Sequence, residues 1–187
     1  MQVVDSRHQL YVAIVRVAVG IIFLWAGLEK AIGTGLGTWN ADGFLAHATN
    51  GTLGWPFVTG TPDPKAVFNP THAFWAGLAG TGVSKVIAYL VPLGQIGIGV
   101  SLILGLLTRF GAAMGTLMML FFFVAAWDFQ FGIVNQHLAY AFVTFLLGYL
   151  GAGNFYGLDA SVGQSLSPGI RRWLFSGDRT QPAPAIA

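Results

Sequence analysis

Apolar residues run almost unbroken through four stretches, residues 10–32, 83–107, 110–127 and 134–151, and polar residues gather between them. A membrane-spanning helix needs about 20 mostly apolar residues, because the hydrocarbon core is about 30 Å thick. Hydrocarbon offers backbone groups no partners outside the helix itself, so each stretch predicts a helix. The expected fold class is all-α, an integral membrane four-helix bundle over residues 10–159 that follows a short segment, residues 1–9. The first stretch contains Arg16 and ends in Glu29-Lys30 without a clear cleavage site, so it reads as an anchor rather than a removed signal.

The one long connection, residues 33–82, holds Trp39, Trp55 and Trp75 with several phenylalanines. Two short helices are predicted inside it. One follows Asn40 and carries Phe44 and Leu45. The other has Asn69 as N-cap and Pro70 at its first position, with Phe74, Trp75 and Leu78 on one face. Aromatic, amphipathic pieces of this kind belong at a membrane interface. The connection is expected to lie as a lid on the outer face of the bundle. Residues 160–175 form an interfacial segment, with a short helix from Pro168 whose Ile170, Trp173 and Leu174 face lipid. Residues 176–187, polar and then Pro/Ala-rich, read as a disordered tail.

Composition sharpens this picture. Hydrophobic residues make up 55% of the 187 and charged residues 9%, against roughly 25% charged in an average protein. A soluble enzyme domain is excluded. Net charge is +2, and Arg171-Arg172 is the only basic cluster, so nucleic acid is not a partner. Cysteine is absent, which removes disulfides, thiol catalysis and any iron–sulfur cluster held by this chain. Arg7, Arg109, Arg171, Arg172 and Arg179 fall on one side of the predicted bundle, with Arg16 toward it; Lys30, Lys65 and Lys85 fall on the other. That bias places both termini in the cytoplasm of a multi-pass protein in a prokaryotic cell membrane.

Polar groups inside the apolar stretches are the candidate chemistry. Arg16 either snorkels to headgroups or is a buried partner for an anion or a quinone head group. It shares a stripe with Gly20, Phe23, Gly27 and Lys30, at spacings that favour close helix packing. Glu29 and Lys30 diverge on a helix and do not pair with each other directly; they are either two interfacial charges or pair at the outer mouth of the bundle, Glu29 with Lys85 or Lys30 with Asp128. Trp25 shares a face with Glu29. Gln95 lies at membrane depth in a glycine-rich second helix. Trp127 and Asp128 end the third helix, and His137, Tyr140 and Thr144 make a polar stripe on the fourth. His137 is either a structural histidine or a proton-handling group that binds a quinone carbonyl. The histidines show no metal-ligand spacing, and a haem held by this chain alone is not expected.

The stretches RVAVGIIFLWAGLEK, GQIGIGVSLILGLLTRFGAAMGTLMML and NQHLAYAFVTFLLGYLGAGNFYGLD, with the aromatic-rich first connection, resemble the DoxX/DoxD family of small four-helix membrane proteins. The likeness is nearest to the DoxD type, the large membrane subunit of thiosulfate:quinone oxidoreductase. Relatives often carry an acid just before the histidine of the fourth helix, where this chain has Gln136. The resemblance implies a membrane redox role in which electrons from a sulfur compound reach a membrane quinone.

On that reading His137, Asp128 and Glu29 handle protons, and quinone is the bound substrate. Arg16, Lys30, Lys85, Trp25, Gln95, Trp127 and Tyr140 line the quinone and anion sites. A second protein subunit or a larger membrane complex supplies the electron route. The alternatives are a non-catalytic accessory subunit of a larger respiratory or membrane assembly, and a carrier of a small molecule.

Overall fold

The computed structural model describes residues 6–33, 35–47, 71–126, 134–163 and 167–176. Among these residues every regular element is helical. Helix α1 (Ser6–Leu28) continues as a π-helical turn at Glu29–Gly33 and is followed by α2 (Ala41–His47) and α3 (His72–Leu78). Then come α4 (Gly82–Leu104), α5 (Thr108–Ala125), α6 (Gln136–Tyr149), a 3-10 turn at Ala152–Asn154, α7 (Asp159–Val162) and α8 (Pro168–Leu174).

Among the described residues three helices are long and apolar enough to cross a membrane: Ser6–Gly33, Gly82–Leu104 and Thr108–Ala125. The fold class is an all-α membrane helical bundle. Large apolar side chains such as Ile14, Ile21, Leu90, Leu117 and Phe145 are exposed, an arrangement that suits lipid and not water. Helix α6 has 14 residues, about 21 Å at 1.5 Å per residue, so it is shorter than the apolar stretch 134–151. It starts late because Asn135 caps it, its Oδ1 accepting the Leu138 N–H at 3.1 Å. It stops early because Gly151 turns left-handed, with φ 62°.

The chain forms two compact units. One comprises Met1–Ala26, Gln95–Gly115 and Val143–Ala187; the other comprises Gly27–Gly94 and Thr116–Phe142. In the first unit α1 and α4 pack backbone to backbone. A Cβ on Gly20 would lie 2.9 Å from the Ile103 nitrogen, and one on Gly99 would lie 2.5 Å from that of Leu24. Helices approach this closely only through small residues. Helix α4 ends where Gly105 adopts φ 63°. There the Leu106 N–H reaches Ser101 O at 3.1 Å and the Gly105 N–H reaches Leu102 O at 3.3 Å, a Schellman close.

In the second unit α2 and α3 pack on each other. The Asp42 carboxylate accepts the Gly80 N–H at 2.7 Å. The Thr71 hydroxyl donates to Val124 O at 3.0 Å and accepts the Trp75 Nε1–H at 2.9 Å, which ties α3 to the end of α5. Helix α2 matches the helix expected after Asn40, and its Leu45 is buried. Helix α3 begins at His72; the Asn69 and Pro70 start, and Trp55, lie outside the described residues. Helix α8 starts at Pro168 as expected and exposes Ile170 and Trp173. Ser176, read from sequence as the first residue of the tail, is buried and hydrogen-bonded, so packing continues through it. Residues 177–187 lie outside the described residues.

Candidate functional site

The first unit holds a buried charge cluster. Arg16 is 1% exposed, which settles the choice between snorkelling and burial. Its Nη1 donates to Ala152 O at 3.0 Å and its Nη2 to Tyr156 O at 3.2 Å. Asp159 is the carboxylate whose charge acts on it. Asp159 Oδ2 accepts the Thr108 N–H at 3.2 Å and the Ser176 N–H at 3.1 Å, and the Ser176 hydroxyl accepts the Gly153 N–H at 3.0 Å. Gly105 and Gly157 flank the guanidinium so closely that a Cβ on either would overlap Nη1. Arg16 Nε, Thr108 Oγ1 and Asp159 Oδ1 are buried without hydrogen-bond partners among the described residues.

The second unit holds a line of rings. Lys30 Nζ lies 5.8 Å from the centroid of the Trp39 ring, within cation–π range. Trp39 meets Phe44 at 5.7 Å, Phe44 meets Phe122 at 5.4 Å, and Phe122 meets His137 edge-on at 5.7 Å. These are the tilted and edge-to-face geometries that ring quadrupoles favour. Local sequence explains the line. Asn40 caps α2, its Oδ1 accepting the Gly43 N–H at 2.7 Å, and so fixes Phe44 one turn in. Asn135 likewise fixes His137 in the first turn of α6.

Beside it Gly37, Trp39, Asp42, Ser84 and Lys85 border a cavity of about 250 Å³. Hydrogen bonds from Ser84 and from the Gly80 N–H hold the Asp42 carboxyl below its ordinary pKa, with a smaller contribution from Lys85.

The other expected site residues fall in different settings. Lys30 is half-buried in the π-helical turn, and the charge that acts on it is that of Glu29. The hydrogen-bond register widens at Glu29, and no ion pair forms between these neighbours among the described residues. Glu29 is exposed and makes no hydrogen bond or ion pair with Lys85 among the described residues. Trp25 is 71% exposed. It lies two residues beyond Phe23, on the far side of α1 from the buried face of Arg16, Gly20 and Phe23. Gln95 is buried in the first unit, its Oε1 without a partner among the described residues. Tyr140 is half-buried in α6. Trp127 and Asp128 lie outside the described residues.

Sequence reasoning missed Asp159, Thr108 and Ser176 in the first unit, and Phe122 in the second. Asp159 carried a usable signal: it is one of only seven acidic residues and follows the pair Gly153 and Gly157. Phe122 carried none, since it sits in a run of three phenylalanines whose facing no local pattern fixes.

A helical membrane protein with a buried arginine and a histidine-ended line of rings is the class these features define. The DoxX family model matches residues 11–128, well over half the chain, and the protein belongs to the DoxX family. His137 and Asp159 lie beyond the matched residues. Neither a curated protein nor a solved structure matches the chain.

Proposed function

We propose that this DoxX protein is the membrane subunit of a quinone-linked redox complex. Both termini lie on the cytoplasmic side of a prokaryotic cell membrane, and α6 with its flanking residues completes a fourth crossing. The reading rests on the line of rings from Trp39 through Phe44 and Phe122 to His137, with Lys30 at its far end. A quinone head group is flat, largely apolar and edged by two carbonyl oxygens. It needs ring surface and a hydrogen-bond donor at the edge, and Phe122 beside His137 supplies both.

Reducing a quinone to the quinol takes two electrons and two protons. His137 holds a carbonyl and passes protons, with Glu29 and Asp128 as the carboxylates that exchange them with solvent. The resemblance of the sequence to the DoxD type favours thiosulfate or a related sulfur compound as the electron donor. The electrons arrive through a cofactor-bearing second subunit.

The test is extraction of the protein purified in mild detergent. A near-stoichiometric quinone supports the reading. A full set of respiratory subunits without bound quinone would assign the chain an accessory role instead.

A further inference from the structure

The cavity in the second unit carries two opposite charges that form no direct ion pair, although Lys85 is near enough for its charge to act on Asp42. Asp42, on α2, and Lys85, in the first turn of α4, both border it and are both exposed. Among the described residues neither forms an ion pair. Both hydroxyls along the wall are engaged within the protein: Thr38 Oγ1 donates to Gly35 O at 2.8 Å, and Ser84 Oγ lies 2.8 Å from Thr81 O and within hydrogen-bonding reach of the Asp42 carboxylate, its one proton shared between them. One carboxylate and one ammonium therefore set the character of the space. A simple anion drawn to Lys85 meets repulsion from Asp42, and a simple cation meets the reverse. A ligand carrying both charges satisfies both walls.

Size and placement narrow the ligand further. At about 250 Å³ the cavity falls just under the roughly 300–1,000 Å³ of drug-sized pockets, so it suits a head group. It sits where the spanning helix Gly82–Leu104 begins and includes Trp39, a side chain suited to the membrane interface. Below Lys85, at successive turns of the same helix face, Tyr89 and Leu93 are each 51% exposed. An apolar track thus leads from the charged cavity into the bilayer.

We propose that this cavity binds the zwitterionic head group of an amine-bearing phospholipid. The lipid ammonium pairs with Asp42, its phosphate pairs with Lys85, and its acyl chains run along Tyr89 and Leu93. The site is separate from the quinone end of the ring line and stands whether or not that assignment does. It gives the lid helix α2 a lipid-dependent anchor to α4.

The test uses the full chain, stripped of lipid and titrated with phosphatidylethanolamine, phosphatidylglycerol or soluble glycerophosphoethanolamine, with binding read by native mass spectrometry. Phosphatidylethanolamine is expected to bind best. Asp42→Asn and Lys85→Gln are each expected to weaken it about tenfold, the scale of one hydrogen bond to a charged group. Both positions are exposed, and thermal midpoints of the variants confirm folding. A preference for phosphatidylglycerol, or unchanged binding in both variants, would overturn the proposal. Equal binding of glycerophosphoethanolamine would assign the cavity to a free zwitterion and overturn the lipid source.

Discussion

Arg16 and Asp159 are both buried, yet each spends its hydrogen bonds on backbone groups rather than on the other. The guanidinium takes the carbonyls of Ala152 and Tyr156, and the carboxylate takes the N–H groups of Thr108 and Ser176. Two charges thereby hold five segments of the first unit together: α1, the start of α5, the turn after α6, the start of α7 and the residues just after α8. Removing one of them leaves the other buried and uncompensated. Arg16→Met is expected to cost about 3–5 kcal/mol and to lower the thermal midpoint in detergent, with Asp159→Asn acting in the same direction. An unchanged midpoint in Arg16→Met would mean that the cluster holds nothing together.

The glycines around this cluster separate close approach from ordinary packing. A Cβ on Gly153 would overlap both the Asp159 carboxylate and the Thr108 hydroxyl, whereas one on Gly97 meets nothing within 4 Å. Gly153→Ala is expected to destabilise by about 1–3 kcal/mol, the usual cost of overpacking. Gly97→Ala in α4 is expected to be neutral or to gain up to about 1 kcal/mol from helix propensity. Midpoints of the two variants, measured side by side, check the contrast.

Asp42 makes the hold on the α3–α4 turn acid-sensitive. Its carboxyl is lowered from an ordinary 3.8 by hydrogen bonds from Ser84 and Gly80. A group whose folded pKa is depressed gives stability that is complete above the unfolded value and lost as pH falls through the folded one. Amide exchange at Gly80, corrected for its intrinsic rate, is therefore expected to accelerate only below about pH 4. Asp42→Asn is expected to abolish that acid phase. The phase persisting in the variant would assign it to another group.

Topology is open to a direct check, since the chain has no cysteine. Single cysteines at Ser6, Thr61 and Ser167 are expected to react with a membrane-impermeant thiol reagent in intact cells at position 61 alone. Labelling at 6 and 167 instead would invert the orientation. Ser6 and Ser167 are exposed, whereas the buried Ser176 is unsuitable as a reporter.

Much of the helical layout was legible: hydrocarbon enforces the long apolar runs, and local residue choice marked the short helix after Asn40 and the start of α8 at Pro168. The glycine stripe that turned Arg16 inward was legible too, since spacing alone puts Gly20 and Phe23 on its face. Asp159 was not legible as its partner. The two are 143 positions apart, and only the left-handed turns at Gly105 and Gly151 bring their segments together. The π-helical turn at Glu29–Gly33 was not legible, because nothing local announces it. The line of rings depends on Phe44 and Phe122 meeting across 78 residues, and such pairing leaves no periodic trace.

The most direct test of the quinone assignment is thiosulfate-driven quinone reduction in membranes carrying the intact complex, with wild type compared against His137→Ala. Turnover is expected to fall roughly 10²-fold, the low end for loss of a general acid or base, with the thermal midpoint unchanged. An unchanged rate with a lowered midpoint would contradict the account and return His137 to a packing role against Phe122.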